Sequence, residues 1–229
     1  MDGVLSAIAI VPSPPVMVPE LAAGAAPELA DLRDAVFAAV AGLPQRWIAV
    51  GVGQTDAVIG ADHVGTFAGY GVDVRVTLSP GADGDPAALP LCALITGWVR
   101  GAARADACAD VRVYADAHDG YTAQAHGRRL RDEIDEAADA IGVLVVADGL
   151  NTLNPSAPGG FDPESVRVQT ALDEALATGD TAALARLPES VVGRVAYQVL
   201  AGLVEPRSAK ELYRGAPYGV GYFAGVWQP

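Results

Sequence analysis

The chain has 229 residues, of which 51% are hydrophobic and 19% are charged, a composition that favours a folded core over intrinsic disorder. Its 15 basic and 28 acidic residues give a formal net charge of −13, which would repel the phosphates of nucleic acids and anionic lipid surfaces. We therefore expect neither nucleic acid nor a membrane as a partner.

The N-terminus and the cysteines predict a cytoplasmic protein. Residues 1–3 read Met-Asp-Gly and lack the cationic segment of a signal peptide. The apolar run Val4–Val11 that follows is too short to span a bilayer. Cys92 and Cys108 are the only cysteines, so they cannot form a framework of several disulfides, which fits a reducing compartment.

Hydrophobic patterning predicts strands that alternate with helices through the first two thirds of the chain. Val4–Val11 is rich in β-branched residues and is stopped by Pro12, as is typical of a buried strand in a largely parallel sheet. The other predicted strands here are Arg46–Gly53, Val72–Val76, Asp110–Tyr114 and Ile141–Val146. The predicted helices are Glu28–Ala41, with Pro27 near its first turn, Leu91–Ala103 and Thr122–Ala140.

The last third begins with a loop rich in glycine, proline and asparagine, residues 148–163. The pattern after it predicts the helices Pro163–Thr178, Thr181–Leu187 and Val191–Leu203, and then a buried strand, Tyr218–Trp227, whose glycines allow close backbone approach. The fold expected is a single α/β domain over residues 1–229, with a largely parallel or mixed central sheet and helices on both faces.

Three stretches resemble, in the same order, a known enzyme family. Ile8–Glu20 is similar to an opening strand with a Pro-His-Pro-Pro loop, and Ala147–Leu153 with Ala157–Pro163 is similar to a Gly-Asp-Leu-Ser-His-Arg-Leu motif and its downstream Pro-Tyr-Gly-Tyr-Asp-Pro run. Ala216–Tyr222 resembles a glycine-rich closing strand. The family is the class III extradiol ring-cleavage dioxygenases of the LigB-like type, with Memo-like proteins as distant relatives. The resemblance implies one such domain over residues 1–229.

In that family two histidines and a carboxylate hold a non-haem Fe(II), and a further histidine acts as acid and base. The resemblance implies histidines at Ser13, near Gln54 and at Asn151, where this chain has hydroxyl and amide side chains. These groups are weak Fe(II) ligands and do not exchange protons near neutral pH. The resemblance therefore implies a degenerate member without the iron site, and no cofactor is predicted.

A cleft in such a protein would still bind a small polar or aromatic molecule. The candidate ligand-binding residues follow predicted strands, where α/β proteins bind ligands, and are Ser13, Gln54, Asp56, Asp148 and Asn151. Ser13 is either a pocket hydroxyl or a residue that satisfies the proline-rich loop. Asn151 either orients a ligand or braces its long loop together with Asp148 and Asn154.

Two alternatives use other features. His63 and His118 each lie next to an aspartate, so each is either part of a replacement metal site or a solvated loop histidine, whereas His126 is expected on a helix surface. The first alternative is an active Fe(II)-dependent extradiol dioxygenase with a rearranged site, which requires two histidines and a carboxylate to converge. The second is a non-catalytic interaction protein, for example a homodimer, which an extended apolar surface without a polar cleft would favour.

Overall fold

The structure is a computed structural model that describes residues 5–229. Its strands are β1 (Leu5–Val11), β2 (Arg46–Gly53), β3 (Ala57–Ile59), β4 (Val64–Thr66), β5 (Arg75–Thr77), β6 (Cys108–Ala115), β7 (Ile141–Val146), β8 (Ser208–Gly215) and β9 (Tyr222–Gln228). Its α-helices are α1 (Pro19–Ala22), α2 (Ala30–Val40), α3 (Leu91–Ala103), α4 (Gly120–Asp135), α5 (Pro163–Thr178), α6 (Thr181–Leu184) and α7 (Arg194–Leu203). Short 3-10 helices cover Pro15–Met17, Ala23–Leu29 and Phe67–Tyr70.

Seven strands form one mixed sheet in the order β3-β6-β2-β7-β1-β9-β8. The four central strands β6, β2, β7 and β1 are parallel to one another, and β3, β9 and β8 pair antiparallel with their neighbours. A separate antiparallel pair joins β4 to β5. Helices α2 and α3 pack on one face of the large sheet, and α4, α5 and α7 pack on the other. The predicted α/β fold with a mixed central sheet is confirmed.

Three of the central strands, β1, β2 and β7, are largely buried on both faces, which explains their sequences. Every residue of β7 is buried, and β1 has only Ser6 exposed. Strands covered by helices on both sides read as continuous runs of Val, Ile, Leu and Ala because no face meets water. Among the described residues, no helix is both long enough and apolar enough to cross a membrane.

Neighbouring central strands send the following chain to opposite faces of the sheet. β1 and β2 lead to α2 and α3 on one face, whereas β6 and β7 lead to α4 and α5 on the other. Because the strand order is β6-β2-β7-β1, the two directions alternate along the edge where the strands end. Diverging connections open a crevice outside the carboxyl ends of parallel strands, where α/β proteins bind ligands. This edge is where a functional site is expected.

Several predicted bounds match the structure residue for residue. They are those of β2, β7, α3 and α5, and β1 matches from Leu5 onward, since Val4 lies outside the described residues. The junction between α5 and α6 has the geometry its sequence favours. Gly179 ends α5 with a positive φ of 76°, and the Asp180 side chain caps α6 by accepting a hydrogen bond from the Ala183 N–H.

Other predicted bounds are wrong. Pro27 lies inside a 3-10 helix, and α2 begins only at Ala30. The strand expected at Val72–Val76 is shifted, because β5 covers Arg75–Thr77 and the residues before it form the turn after the Phe67–Tyr70 helix, where the Phe67 N–H donates to the Val74 carbonyl oxygen. α4 begins at Gly120, because Asp119 caps its first turn, and it ends at Asp135. The remaining corrections are shorter or longer elements: α6 ends at Leu184, α7 begins at Arg194, and β6 extends over Cys108–Ala115.

The C-terminal part of the sheet also differs from the prediction. β8 was not predicted, because Lys210, Glu211 and Arg214 give this edge strand a polar pattern. The last strand begins at Tyr222, four residues later than predicted. The preceding glycine-rich segment, 216–221, is instead a turn that pairs with the loop after β7.

We expect Gly127→Ala to destabilise the fold. A Cβ on Gly127 would overlap the carbonyl oxygen of Val199, and one on Gly202 would overlap that of Gln124, because α4 and α7 approach closely here. Forcing a methyl group into backbone contact costs about 1–3 kcal/mol in the free energy of unfolding, measured by urea denaturation.

The matched control is Gly101→Ala in α3, where an added Cβ meets no atom within 4 Å. That variant should gain up to about 1 kcal/mol, because alanine is the better helix former. Equal stability of the two variants would contradict the close approach of α4 and α7.

Candidate functional site

Two predicted residues meet at the ends of β1 and β7. Asp148 follows β7 and Ser13 follows β1, its neighbour in the sheet. The backbone N–H of Ser13 donates to Oδ1 of Asp148 at 2.7 Å, and the Ser13 hydroxyl donates to Oδ2 at 2.9 Å. Ser13 therefore satisfies both oxygens of this carboxyl, and the two strand ends are tied together.

Asp148 lies in a cleft with largely apolar walls and a volume of about 360 Å³, which we call the Asp148 cleft. Its lining residues are Pro14, Pro15, Val16, Asp148, Asn151, Pro158, Val192, Tyr218, Val220 and Tyr222. None of these residues is cationic, and Asp148 is the only ionisable carboxyl among them. Tyr222 is buried at the base of β9, and the Tyr218 hydroxyl donates to Glu28 at 3.1 Å, which fixes that ring.

Burial raises the pKa of Asp148 from 3.8 to about 6, and the two hydrogen bonds from Ser13 partly oppose that rise. Burial also raises the pKa of the nearby tyrosines Tyr197 and Tyr222, and the Asp148 charge adds to the effect. The Tyr197 hydroxyl donates to the carbonyl oxygen of Ala147 at 2.8 Å, so it holds the strand end beside the cleft. The site thus contains one carboxyl that changes charge near pH 6, among phenols that stay neutral.

Asn151 lines the same cleft. Its side-chain amide makes no hydrogen bond to another described residue. Its backbone carbonyl oxygen accepts one from the Gly159 N–H at 2.9 Å. Bracing within this loop comes instead from Asn154, whose Oδ1 accepts from the Ser156 N–H at 3.0 Å. Of the two alternatives for Asn151, bracing of the loop by its amide is therefore not observed among the described residues, and the amide can bond to a ligand.

The C-terminal turn forms one wall of the cleft and is fixed by the backbone. The Gly149 N–H donates to the Gly221 carbonyl oxygen, and the Gly221 N–H donates to that of Leu150, both at 2.8 Å. The Gln169 side chain packs so closely against both glycines that a Cβ on either would overlap it. Close backbone approach, expected from the glycines, is confirmed in this turn.

Gln54 and Asp56 do not join Ser13 and Asp148. Both follow β2, and both are exposed. Oδ1 of Asp56 accepts from the backbone N–H of Ala115 at the end of β6, at 2.7 Å. Their expected place in a common cleft is wrong, because the segment after β2 turns toward β6 and pairs with it as β3, away from β7 and β1.

Asp56 instead meets two histidines. His118 Nε2 lies 2.7 Å from Oδ1 and 3.0 Å from Oδ2 of Asp56. His126, on the second turn of α4, stacks against His118 with ring centroids 4.9 Å apart and against Tyr114 at 4.8 Å. We call these three residues the Asp56–His118–His126 cluster, and they are a convergence of two histidines and a carboxylate such as the rearranged-site alternative requires. Burial and the neighbouring Arg129 lower the pKa of His126.

His63 lies apart from this cluster. Its Nδ1 is 3.0 Å from the Asp62 carboxylate and 3.1 Å from the Gly60 carbonyl oxygen, and its side chain is 44% exposed. This is the solvated loop histidine that was one of the two alternatives for the residue. His118 is different, because only 22% of its side chain is exposed and a second imidazole stands beside it.

His126 is the residue of this edge that the sequence did not reveal. It was expected on a helix surface, near the start of its helix, but it is partly buried and faces His118. The available signal was Asp119, a favoured N-cap residue, whose Oδ1 accepts from the Thr122 N–H at 2.7 Å. Because α4 begins at Gly120, its second turn places His126 beside His118, the residue before the N-cap.

Comparison with known proteins shows the fold alone. No family model matches the sequence, and no curated protein matches it significantly. A crystal structure of the uncharacterized protein JW3007 from Escherichia coli K12 is similar, with a TM-score of 0.56 at 12% identity, covering 98% of this chain and 100% of that one. A similar α/β fold therefore occurs in a solved structure.

We expect the Asp148 carboxyl to titrate with a midpoint near pH 6 in a carbon-13 NMR titration, because burial disfavours its ionised form. Ser13→Ala removes the hydroxyl donor and should move the midpoint higher. A midpoint near 4 in the unsubstituted protein would contradict the buried environment.

Stability should decline as the pH rises from about 4 to about 6. The folded protein holds a proton on Asp148 in this range that the unfolded chain has released, so deprotonation costs folding free energy. Asp148→Asn should flatten the decline by on the order of 1–3 kcal/mol in urea denaturation across this range. Burial also raises the pKa of Asp173 to about 6. Part of the pH dependence of stability therefore remains in the Asp148→Asn variant. An unchanged slope in Asp148→Asn would contradict this account.

Proposed function

We propose that the protein binds a small aromatic or planar molecule with a hydroxyl or amine donor in the Asp148 cleft. The observation that carries this proposal is a carboxyl held by Ser13 at the ends of β1 and β7, inside a cleft whose other walls are mainly proline, valine and tyrosine. Ligand sites are concave, mostly apolar and furnished with a few placed polar groups, and the Asp148 cleft has these properties.

Asp148 supplies the polar contact. Each of its oxygens already accepts one hydrogen bond from Ser13, and each has a further lone pair. An ionised carboxylate accepts a hydrogen bond from a hydroxyl or amine more strongly than a neutral oxygen does. Above pH 6 the cleft therefore selects ligands with a donor, and the Asn151 amide offers a second polar contact.

The walls favour a flat apolar ring. Tyr218 and Tyr222 present aromatic rings, and Pro14, Pro15 and Pro158 present rigid apolar surfaces. A cavity of about 360 Å³ is at the small end of the range for ligand sites, which suits a single ring or a fused pair. The net charge of −13 and the absence of a cation among the lining residues disfavour anionic ligands.

Descent from the extradiol dioxygenases is part of this proposal. It is supported by the resemblance of three ordered stretches, and the α/β fold is compatible with it. The donor set at the expected iron positions does not fit iron: Ser13 donates to Asp148, Asn151 is an amide, and Gln54 is exposed at the end of β2. The cleft is therefore proposed as a binding site without iron chemistry.

A role as a non-catalytic interaction protein has weaker support. It would be favoured by an extended apolar surface in place of a polar cleft, but the described residues include such a cleft. The exposed large hydrophobic residues lie on separate elements, for example Val58 on β3, Tyr121 on α4 and Phe161 in the loop after β7. Single exposed apolar residues are normal on a monomer.

We expect phenol to bind in the Asp148 cleft, and anisole, which lacks the hydroxyl donor, to bind about 10-fold more weakly at pH 7.5. A hydrogen bond to a charged group contributes about 1.5–3 kcal/mol, which covers a difference of this size. The measurement is an NMR titration that follows the backbone amides of Asn151, Val192 and Val220 around the cleft.

Asp148→Asn should reduce the preference for phenol over anisole. The matched control is Asp173→Asn, which removes another carboxyl whose pKa is raised to about 6 but which bonds to Gln169 outside the cleft lining. Equal binding of the two probes, or the same loss in both variants, would refute the assigned role of Asp148.

Catechol should not be cleaved in the Asp148 cleft after anaerobic reconstitution with Fe(II) and exposure to dioxygen, because the cleft offers no imidazole to hold the metal. The assay is the absorbance of the yellow ring-cleavage product. Stoichiometric cleavage abolished by Ser13→Ala or Asn151→Ala would show an iron site in the cleft and overturn the proposal.

A further inference from the structure

Three side chains with metal-binding atoms converge at the ends of β2 and β6. One oxygen of Asp56 and one nitrogen each from His118 and His126 all lie within 4.8 Å of one another. The three residues come from different segments: the turn after β2, the turn after β6 and the second turn of α4. Their convergence is thus a product of the fold and is not an accident of neighbouring positions in one helix.

The ligand atoms are held by contacts outside the cluster. Asp56 accepts the Ala115 N–H, which fixes its carboxylate at the end of β6. His126 packs against the buried ring of Tyr114. The next residue, Gly127, sits directly against the backbone of α7, so α4 has little freedom to move His126. Such outer contacts orient the ligands of protein metal sites.

The spacing suits a first-row transition ion. Ligand atoms about 2.0–2.2 Å from such an ion stand roughly 3.0–3.5 Å apart when they occupy neighbouring positions of a tetrahedron or octahedron. His118 Nε2 is 2.7 Å from one oxygen of Asp56 and 3.0 Å from the other, and the His126 nitrogen is within 4.8 Å of its partners. Small side-chain rotations therefore bring all three onto one ion.

The geometry points to a divalent transition-metal site formed by Asp56, His118 and His126, for which Zn²⁺ is the probe ion. Two imidazoles and one carboxylate leave at least one coordination position open, and 49% of the Asp56 side chain is exposed, so water can complete the coordination. Nitrogen ligands disfavour Mg²⁺ and Ca²⁺, and Zn²⁺ binds such a set more tightly than Fe²⁺ does.

This site is separate from the Asp148 cleft. The cluster lies at the ends of β6 and β2, and the cleft lies at the ends of β7 and β1, two strand spacings or roughly 10 Å farther along the same edge. None of the three residues lines the cleft. The proposed metal site therefore does not depend on whether the Asp148 cleft binds a ligand.

The test is isothermal titration of the full chain with Zn²⁺ after dialysis against a chelator, with the visible absorption of Co²⁺ as a second readout of coordination. We expect one ion per chain and no heat from Mg²⁺. His118→Ala, His126→Ala and Asp56→Asn should each weaken Zn²⁺ binding at least about 10-fold. Asp56→Asn keeps an oxygen that can accept the Ala115 N–H, so it preserves the local fold while it removes the charge.

The matched control is His63→Ala. His63 also lies 3.0 Å from an aspartate oxygen, but it has no part in the converging group. That variant should bind Zn²⁺ as the unsubstituted protein does, and thermal unfolding of each metal-free variant verifies that it folds. Absence of binding, binding that survives both His118→Ala and His126→Ala, or an equal loss in His63→Ala would overturn the assignment.

Discussion

The parallel alignment of β6, β2, β7 and β1 determines where the helices pack and where polar side chains meet. All four strands end at one edge of the sheet, and the chain then leaves neighbouring strands toward opposite faces. Parallel pairing of this kind requires helices on both faces, which explains the apolar runs of the central strands. It also explains why polar side chains from distant parts of the chain, such as Ser13 and Asp148, come within hydrogen-bonding distance.

This one edge carries two groups of polar residues with different chemistry. At the ends of β7 and β1 a single carboxyl, Asp148, lies among tyrosines and prolines. Burial raises its pKa to about 6, so its charge changes near that pH. At β2 and β6 a carboxylate and two imidazoles are more exposed to water. The start of α7 lies between them, since the Gly193 N–H donates to the Asp148 carbonyl oxygen and Arg194 donates to that of Asp116. A ligand at Asp148 and an ion at the Asp56–His118–His126 cluster would therefore both contact segments that bond to the start of α7.

Sequence predicted the parts of the fold whose burial follows a simple period. β7 and α5 are such elements, whereas β8 was missed because edge strands carry charges that conceal the alternation. For the site, the rule that ligands bind at strand ends correctly joined Ser13 to Asp148. It failed for Asp56, because β2 lies between β6 and β7 and the chain after it turns toward β6, a direction that the sequence does not give. His126 was missed for a related reason, since its position depends on where α4 begins.

We propose that the Asp148 cleft binds a ring that carries a hydrogen-bond donor. A crystal structure of the protein soaked with phenol at pH 7.5 tests it most directly. We expect ring density between Tyr218, Tyr222 and the prolines of the cleft, with the hydroxyl oxygen within about 3 Å of an Asp148 oxygen. Density for the ring elsewhere on the protein, or a ring in the cleft with its hydroxyl turned away from Asp148, would contradict it.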